Sequence, residues 1–150
     1  MRWLVPIVAG LPALAAAPTA ALGYGPRVSF ELNCMGCHGA DGAGHEGRVP
    51  SLRRSLVQFS GTPAGREFVL RVPGVAQSSL SDGETAALLN WMARALSDLA
   101  PAAGFVDYTA EEVARFRHEP LADVAAARAR LVQAAGRPGG GERARRLQSR

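Results

Sequence analysis

The sequence predicts an all-α fold. Apolar residues recur at helical spacing, most clearly at Leu88, Leu89, Met92, Leu96 and Leu99. Helix-start signals precede several such stretches, and no run alternates apolar and polar residues as a strand would. The 150 residues are 47% hydrophobic, enough for a folded core.

The elements follow in chain order. Residues 1–23 carry one charge, Arg2, then an apolar, alanine-rich run with small residues at Ala17, Ala21 and Gly23. A positive start, an apolar centre and a small-residue exit are the layout of a secretory signal, which puts the protein in the periplasm. The competing reading is a permanent membrane anchor, although Gly10, Pro12, Pro18 and Thr19 interrupt the span. A helix is expected over 26–34, with Pro26 in its first turn and Val28, Phe30 and Leu32 on its apolar side. A loop with Gly36, Gly39, Gly42, Gly44 and Gly47 runs on to Val49-Pro50; it has no core of its own and needs something to wrap around. Thr62 and Pro63 open a helix over 63–71, which Val72-Pro73-Gly74 ends. Ser81 and Glu84 form a capping box for the longest helix, 82–99, with Trp91 alongside its apolar face.

Ala100-Pro101 and Gly104 mark a linker. Thr109 and Glu112 suggest a second capping box, for a helix to about His118 that Pro120 stops. Residues 121–135 read as a further helix, rich in alanine and arginine, and 136–150 as a disordered basic tail. The organisation is therefore a signal over 1–23, a main domain over 24–99, a helical extension over 100–135 and an Arg-rich tail over 136–150.

All 17 cations are arginine, against 13 acids, for a net charge of +4. From 24 to 136 there are 11 arginines and 12 acids, so the excess lies in the tail. No nucleic-acid partner is expected of a folded part with no basic excess. The tail is a candidate contact to an anionic membrane surface. No G-x-S-x-G, P-loop or H-E-x-x-H motif is present.

Both cysteines fall in Cys34-Met35-Gly36-Cys37-His38. C-x-x-C-H is the attachment motif of c-type haem. Two thiols add to the two haem vinyl groups, the spacing lets both reach the porphyrin edge, and the histidine supplies the proximal nitrogen to iron. Three other readings compete: a thioredoxin-like redox pair, a zinc site using Cys34, Cys37, His38 and His45, and a plain disulfide. The first lacks a βαβ context, the second sets adjacent residues pointing apart, and the third needs no histidine.

On these residues the chain resembles the class I cytochrome c family over roughly 24–99. An aromatic, Phe30, precedes the first cysteine by four positions, and Trp91 resembles its aromatic partner on the family's last helix. Pro50 lies twelve residues after His38, as in the family, and 80–92 is similar to the family's last helix. The resemblance implies a small helical fold around one covalent haem c, held by Cys34, Cys37 and His38. It also implies that the Pro50 carbonyl accepts a hydrogen bond from the His38 ring, a contact that fixes the tautomer.

The family usually supplies a distal methionine just before a proline in the loop preceding the last helix. Here Arg71-Val72-Pro73 occupies that stretch, and valine cannot ligate iron. Met92 is the candidate distal ligand, with packing as its competing role. Met35 sits inside the attachment motif, His45 is in the proximal loop, and His118 reads as a solvated histidine at a helix end. With an open distal position, Arg71 or Gln77 would be available as donors there. Arg48, Arg53 and Arg54 are candidate partners of the haem propionates, with a solvated surface as the alternative. Asp41 and Glu46 read as solvated loop acids.

The functional expectation is a monohaem periplasmic one-electron carrier rather than an enzyme. It would pass electrons from a dehydrogenase to a downstream haem protein or oxidase. One alternative is a c-type haem protein whose open distal position binds small ligands or peroxide. Another is a haem subunit docked on an enzyme through its C-terminal extension.

Overall fold

A computed structural model describes residues 23–99 and 105–135. The expected secretory signal (Gly23 apart), the linker glycine and proline, and the expected Arg-rich tail lie outside them. Among the described residues there are eight helices and no strand. No described helix is long and apolar enough to cross a membrane.

Helix α1 (Pro26–Asn33) starts on Pro26, whose fixed φ and missing N–H suit a first turn. It buries Ser29 and Phe30 and leaves Leu32 on the surface. Helix α2 (Met35–His38) is a single turn that contains Cys37 and His38. The glycine loop follows, pinned by an isolated antiparallel bridge between His45 and Val49.

Helix α3 (Leu52–Ser60) has no counterpart among the expected elements. Ser51 caps it by accepting from the Arg53 amide, and Leu56, Val57, Phe59 and Ser60 face inward. Helix α4 (Pro63–Arg71) begins as expected, with the Thr62 hydroxyl accepting from the Gly65 amide. Pro73, expected only to stop α4, also opens α5 (Pro73–Ala76), since its ring suits a helix start as well as a helix end.

Helix α6 (Asp82–Ala95) carries the capping box in full, with both Ser81 and Glu84 reciprocating. It ends about four residues earlier than its apolar spacing suggests. Leu96 already caps it, and Ser97 turns back to donate to the Arg53 carbonyl. Helix α7 (Ala110–Phe116) has only half the expected box: Thr109 accepts from the Glu112 amide, while the Glu112 carboxylate goes to Arg66 instead. Helix α8 (Val124–Ala135) begins three residues after the expected start, where Asp123 accepts from the Ala126 amide.

One core joins these helices. Phe30 on α1 packs on Trp91 of α6 at 5.7 Å between ring centres, as the resemblance implied. Phe59 and Phe68 join α3 to α4 edge-to-face at 5.2 Å. Residues 105–135 contribute to the same core: Tyr108 and Val113 are buried with Leu70, Leu89 and Met92. The Asn90 side chain clamps Tyr108 by bonding both its amide and its carbonyl.

Candidate functional site

The site is built where α1 hands over to α2. The Cys34 amide closes α1 on the Phe30 carbonyl, and the Cys37 and His38 amides both bond back to the Cys34 carbonyl. That turn places Cys37 and His38 within one helical turn of Cys34. Cys34 is partly buried and Cys37 is exposed, and both are free thiols. Burial pushes the Cys34 thiol up to about 11, so it stays protonated at neutral pH.

The His38 ring is held by a backbone carbonyl twelve residues on. Nδ1 lies 3.0 Å from the Pro50 carbonyl oxygen. A carbonyl can only accept, so Nδ1 carries the proton and Nε2 keeps its lone pair. Burial lowers the His38 pKa, and the Pro50 bond pulls it partly back. A neutral imidazole with a free Nε2 is the form that binds a metal ion.

Around these residues opens an apolar cleft with a cavity volume of about 220 Å³. Cys34, His38 and Pro50 line one part. Leu56, Phe59, Phe68, Val69, Val72, Val75, Leu89 and Met92 supply most of its apolar wall, and Val124 and Arg128 reach it from α8. Two thiols, a neutral imidazole and an apolar cleft fit the donor set and hydrophobic bed that a covalent haem needs. Among the described residues Cys34, Cys37, His38 and His45 are not gathered into a group that could hold a metal ion by themselves, as the zinc reading needs.

Other sequence-predicted residues are distributed differently. Val72 lines the cleft from the stretch where the family usually places its methionine. Met92, the candidate distal ligand, also lines it and is buried in the core of α6. His45 and His118 are exposed and lie outside the cleft lining. Arg71 and Gln77 do not line it either. Arg71 pairs with Glu67 and donates to the Glu119 carbonyl. Arg53 is not free for a propionate: it holds Asp98 at 2.6 Å and Asp41 at 3.1 Å. Asp41 is therefore paired rather than merely solvated, and it also accepts from the Ala43 amide. Sequence reasoning missed Arg128, which lines the cleft and sits 5.0 Å over the Phe59 ring. It missed Arg117 as well, a buried guanidinium beside the cleft wall.

No protein-family model matches the chain. Two curated relatives do. One, a protein called cytochrome c-552 from Thermus thermophilus, is 31% identical over 119 residues, covering 67% of this chain and 80% of its own length. A second cytochrome c-552 from Thermus thermophilus is 33% identical over 106 residues, covering 59% of this chain and 81% of its own length.

Proposed function

The chain belongs to the class I cytochrome c family, and on that premise we propose that it is a periplasmic monohaem electron carrier. The observation that supports this reading is Cys34 and His38 lining an apolar cleft, the imidazole tautomer fixed by Pro50, with Cys37 in the same helical turn as His38. When bound, the haem supplies an iron that takes up and releases one electron.

The protein's own residues do the rest. Cys34 and Cys37 would hold the haem as thioethers, each sulfur joined to one vinyl carbon and the S–H hydrogen to the other, with no net oxidation. His38 Nε2, left free by the Nδ1–Pro50 bond, would hold the iron. Met92 is the thioether available from the cleft lining as a distal ligand. The cleft's aliphatic and aromatic walls exclude water, which favours the less charged, reduced iron. Electrons would arrive from a dehydrogenase and leave to a second haem protein or oxidase. The Arg-rich tail would serve a partner or an anionic membrane surface.

The test is spectroscopic. Cys34→Ala with Cys37→Ala should abolish covalent haem staining, and retained staining would refute the assignment. Low-spin iron in both oxidation states, unreactive to carbon monoxide, supports the carrier with a distal protein ligand. Met92→Leu should then remove the near-infrared thioether-to-iron band.

A second reading is favoured by Val72, which lines the cleft from the stretch expected to hold the distal methionine. In it the iron's sixth position is open to small ligands. High-spin ferrous iron that binds carbon monoxide at once, unchanged by Met92→Leu, would replace the first reading with this one.

A further inference from the structure

Arg117 is 7% exposed, and its guanidinium is buried against the segment that joins α5 to α6. Nε reaches the Ala76 carbonyl at 3.4 Å. One terminal nitrogen donates to the Leu80 carbonyl at 2.8 Å, to Asp82 at 3.1 Å and to Thr85 at 3.2 Å. The other donates to the Ser78 carbonyl at 2.7 Å and its hydroxyl at 3.3 Å. One side chain thus satisfies three loop carbonyls that have no place in a helix ladder. A single fork does what no set of short polar side chains in this loop could do at once.

The same stretch of chain also grips the other end of the wall. The Leu121 amide donates to the Arg71 carbonyl at 2.8 Å, and Arg71 Nε donates to the Glu119 carbonyl at 2.7 Å. Residues between these two grips include Val72, Gly74 and Val75, all of which line the cleft. That wall is one short helix and a loop, with backbone bonds confined to near neighbours. Its position is set from outside, by residues 117–121.

We propose that Arg117 is a positioning residue that fixes the segment from Val72 to Leu80, whose Val72, Gly74 and Val75 form one cleft wall, and thereby controls access to the sixth position of the iron. The inference rests on the haem reading and holds whether or not Met92 ligates. In either case Val72, Gly74 and Val75 line the cleft, so loosening this segment would widen the cleft beside it. Without the arginine, the carbonyls of Ala76, Ser78 and Leu80 turn to water and the wall opens.

The experiment uses the full-length, haem-loaded protein. Arg117→Lys keeps the charge and loses the fork. Arg66→Lys is the control, because Arg66 is a similarly buried arginine tied to Glu112 and to the Val106 and Asp107 carbonyls. Two quantities are read: hydrogen exchange of the Ala76, Gln77 and Ser78 amides, and the association rate of carbon monoxide with the reduced protein, measured in a Met92→Leu background where the parent protein does not bind carbon monoxide. In Arg117→Lys both should rise about tenfold, the population change expected when a local opening loses one charge-assisted hydrogen bond. Arg66→Lys should lower the melting temperature and leave both unchanged. Rates unchanged in Arg117→Lys, or raised equally in Arg66→Lys, would overturn the proposal. If Arg117→Lys does not fold, Asp82→Asn carries the test. It removes the charge facing the arginine and should move both rates the same way by less, and no movement there is equally decisive against it. Covalent haem staining of every preparation separates this failure from failure of the haem reading, and amide exchange reads the wall directly, whatever the iron binds.

Discussion

Gly44 holds both partners of the His38–Pro50 hydrogen bond. Its amide donates to the His38 carbonyl at 2.8 Å, and its Cα faces the Pro50 peptide so closely that a Cβ would sit 2.7 Å from the Pro50 oxygen. Its φ of 74° is also one that only glycine adopts freely. Gly44→Ala should therefore displace the carbonyl that orients the His38 ring. The expected cost is about 2–3 kcal/mol from strain and the lost contact, with a shifted haem spectrum and midpoint potential. Gly47, at φ 71° with open space around it, is the comparison. Gly47→Ala should cost about 1–2 kcal/mol and leave the spectrum alone. Denaturant titration and absorption spectra of the two variants check this, and equal spectra would disprove the link from Gly44 to the iron.

Much of this geometry was legible in the sequence because it is local. The caps of α4 and α6 depend on residues three apart, and the His38–Pro50 spacing and the Phe30–Trp91 pair came with the family resemblance. Helix α3 was missed although Ser51 and the apolar Leu52, Leu56 and Phe59 carry the same kind of signal. Its arginines read as propionate partners or a solvated surface, and one of them, Arg53, is instead spent on Asp98, 45 residues away. Arg117 was illegible for the same reason. Its six acceptors lie 32 to 41 residues upstream, and nothing near Arg117 in sequence distinguishes it from the solvated arginines around it.

The Arg66–Glu112 pair joins α4 to α7 through two contacts of 2.7 and 2.6 Å, with the guanidinium 4.0 Å over the Tyr108 ring. Side-chain exposures of 11% and 24% keep water from screening it fully. Glu112→Gln keeps one acceptor oxygen but leaves the arginine without its counter-charge. It should cost about 2 kcal/mol, with little relief from salt. Glu111→Gln, one residue away and with no partner on another helix, should change stability by a few tenths of a kcal/mol. Urea denaturation at low and high ionic strength checks the pair, and equal effects at both positions would show that the bridge adds nothing.

The α6 capping box predicts an acid response. The Glu84 carboxylate accepts from the Ser81 amide at 2.9 Å and from its hydroxyl at 2.6 Å, and these bonds hold its pKa below the usual glutamate value. A carboxyl depressed in the folded state stabilises above its unfolded pKa and loses that effect as pH falls through the folded value. Ser81→Ala should cost about 1 kcal/mol at neutral pH. It should also flatten the decline of melting temperature on the acid side. An acid limb identical to that of the parent protein would rule the box out as its source.

Tyr108 predicts the alkaline limit. Its hydroxyl lies 2.7 Å from Ser60 Oγ, and Ser60 already donates its only hydroxyl proton to the Leu56 carbonyl at 2.7 Å. Tyr108 must therefore be the donor in the shared bond. Ionisation would remove that proton inside the core, and burial pushes the phenol up to about 12. The unfolded chain releases the same proton near pH 10. Below pH 10 both states hold the proton and stability is untouched. Between pH 10 and 12 only the unfolded state gives it up, so stability falls with rising pH, by about 2–3 kcal/mol in all. Tyr108→Phe has no proton to lose. It should be about 1 kcal/mol less stable than the parent at neutral pH, having lost one buried hydrogen bond, yet hold its stability through this window. The two stability curves should then cross between pH 10 and 12. Parallel curves in urea titrations across that range would mean that the alkaline limit is set elsewhere.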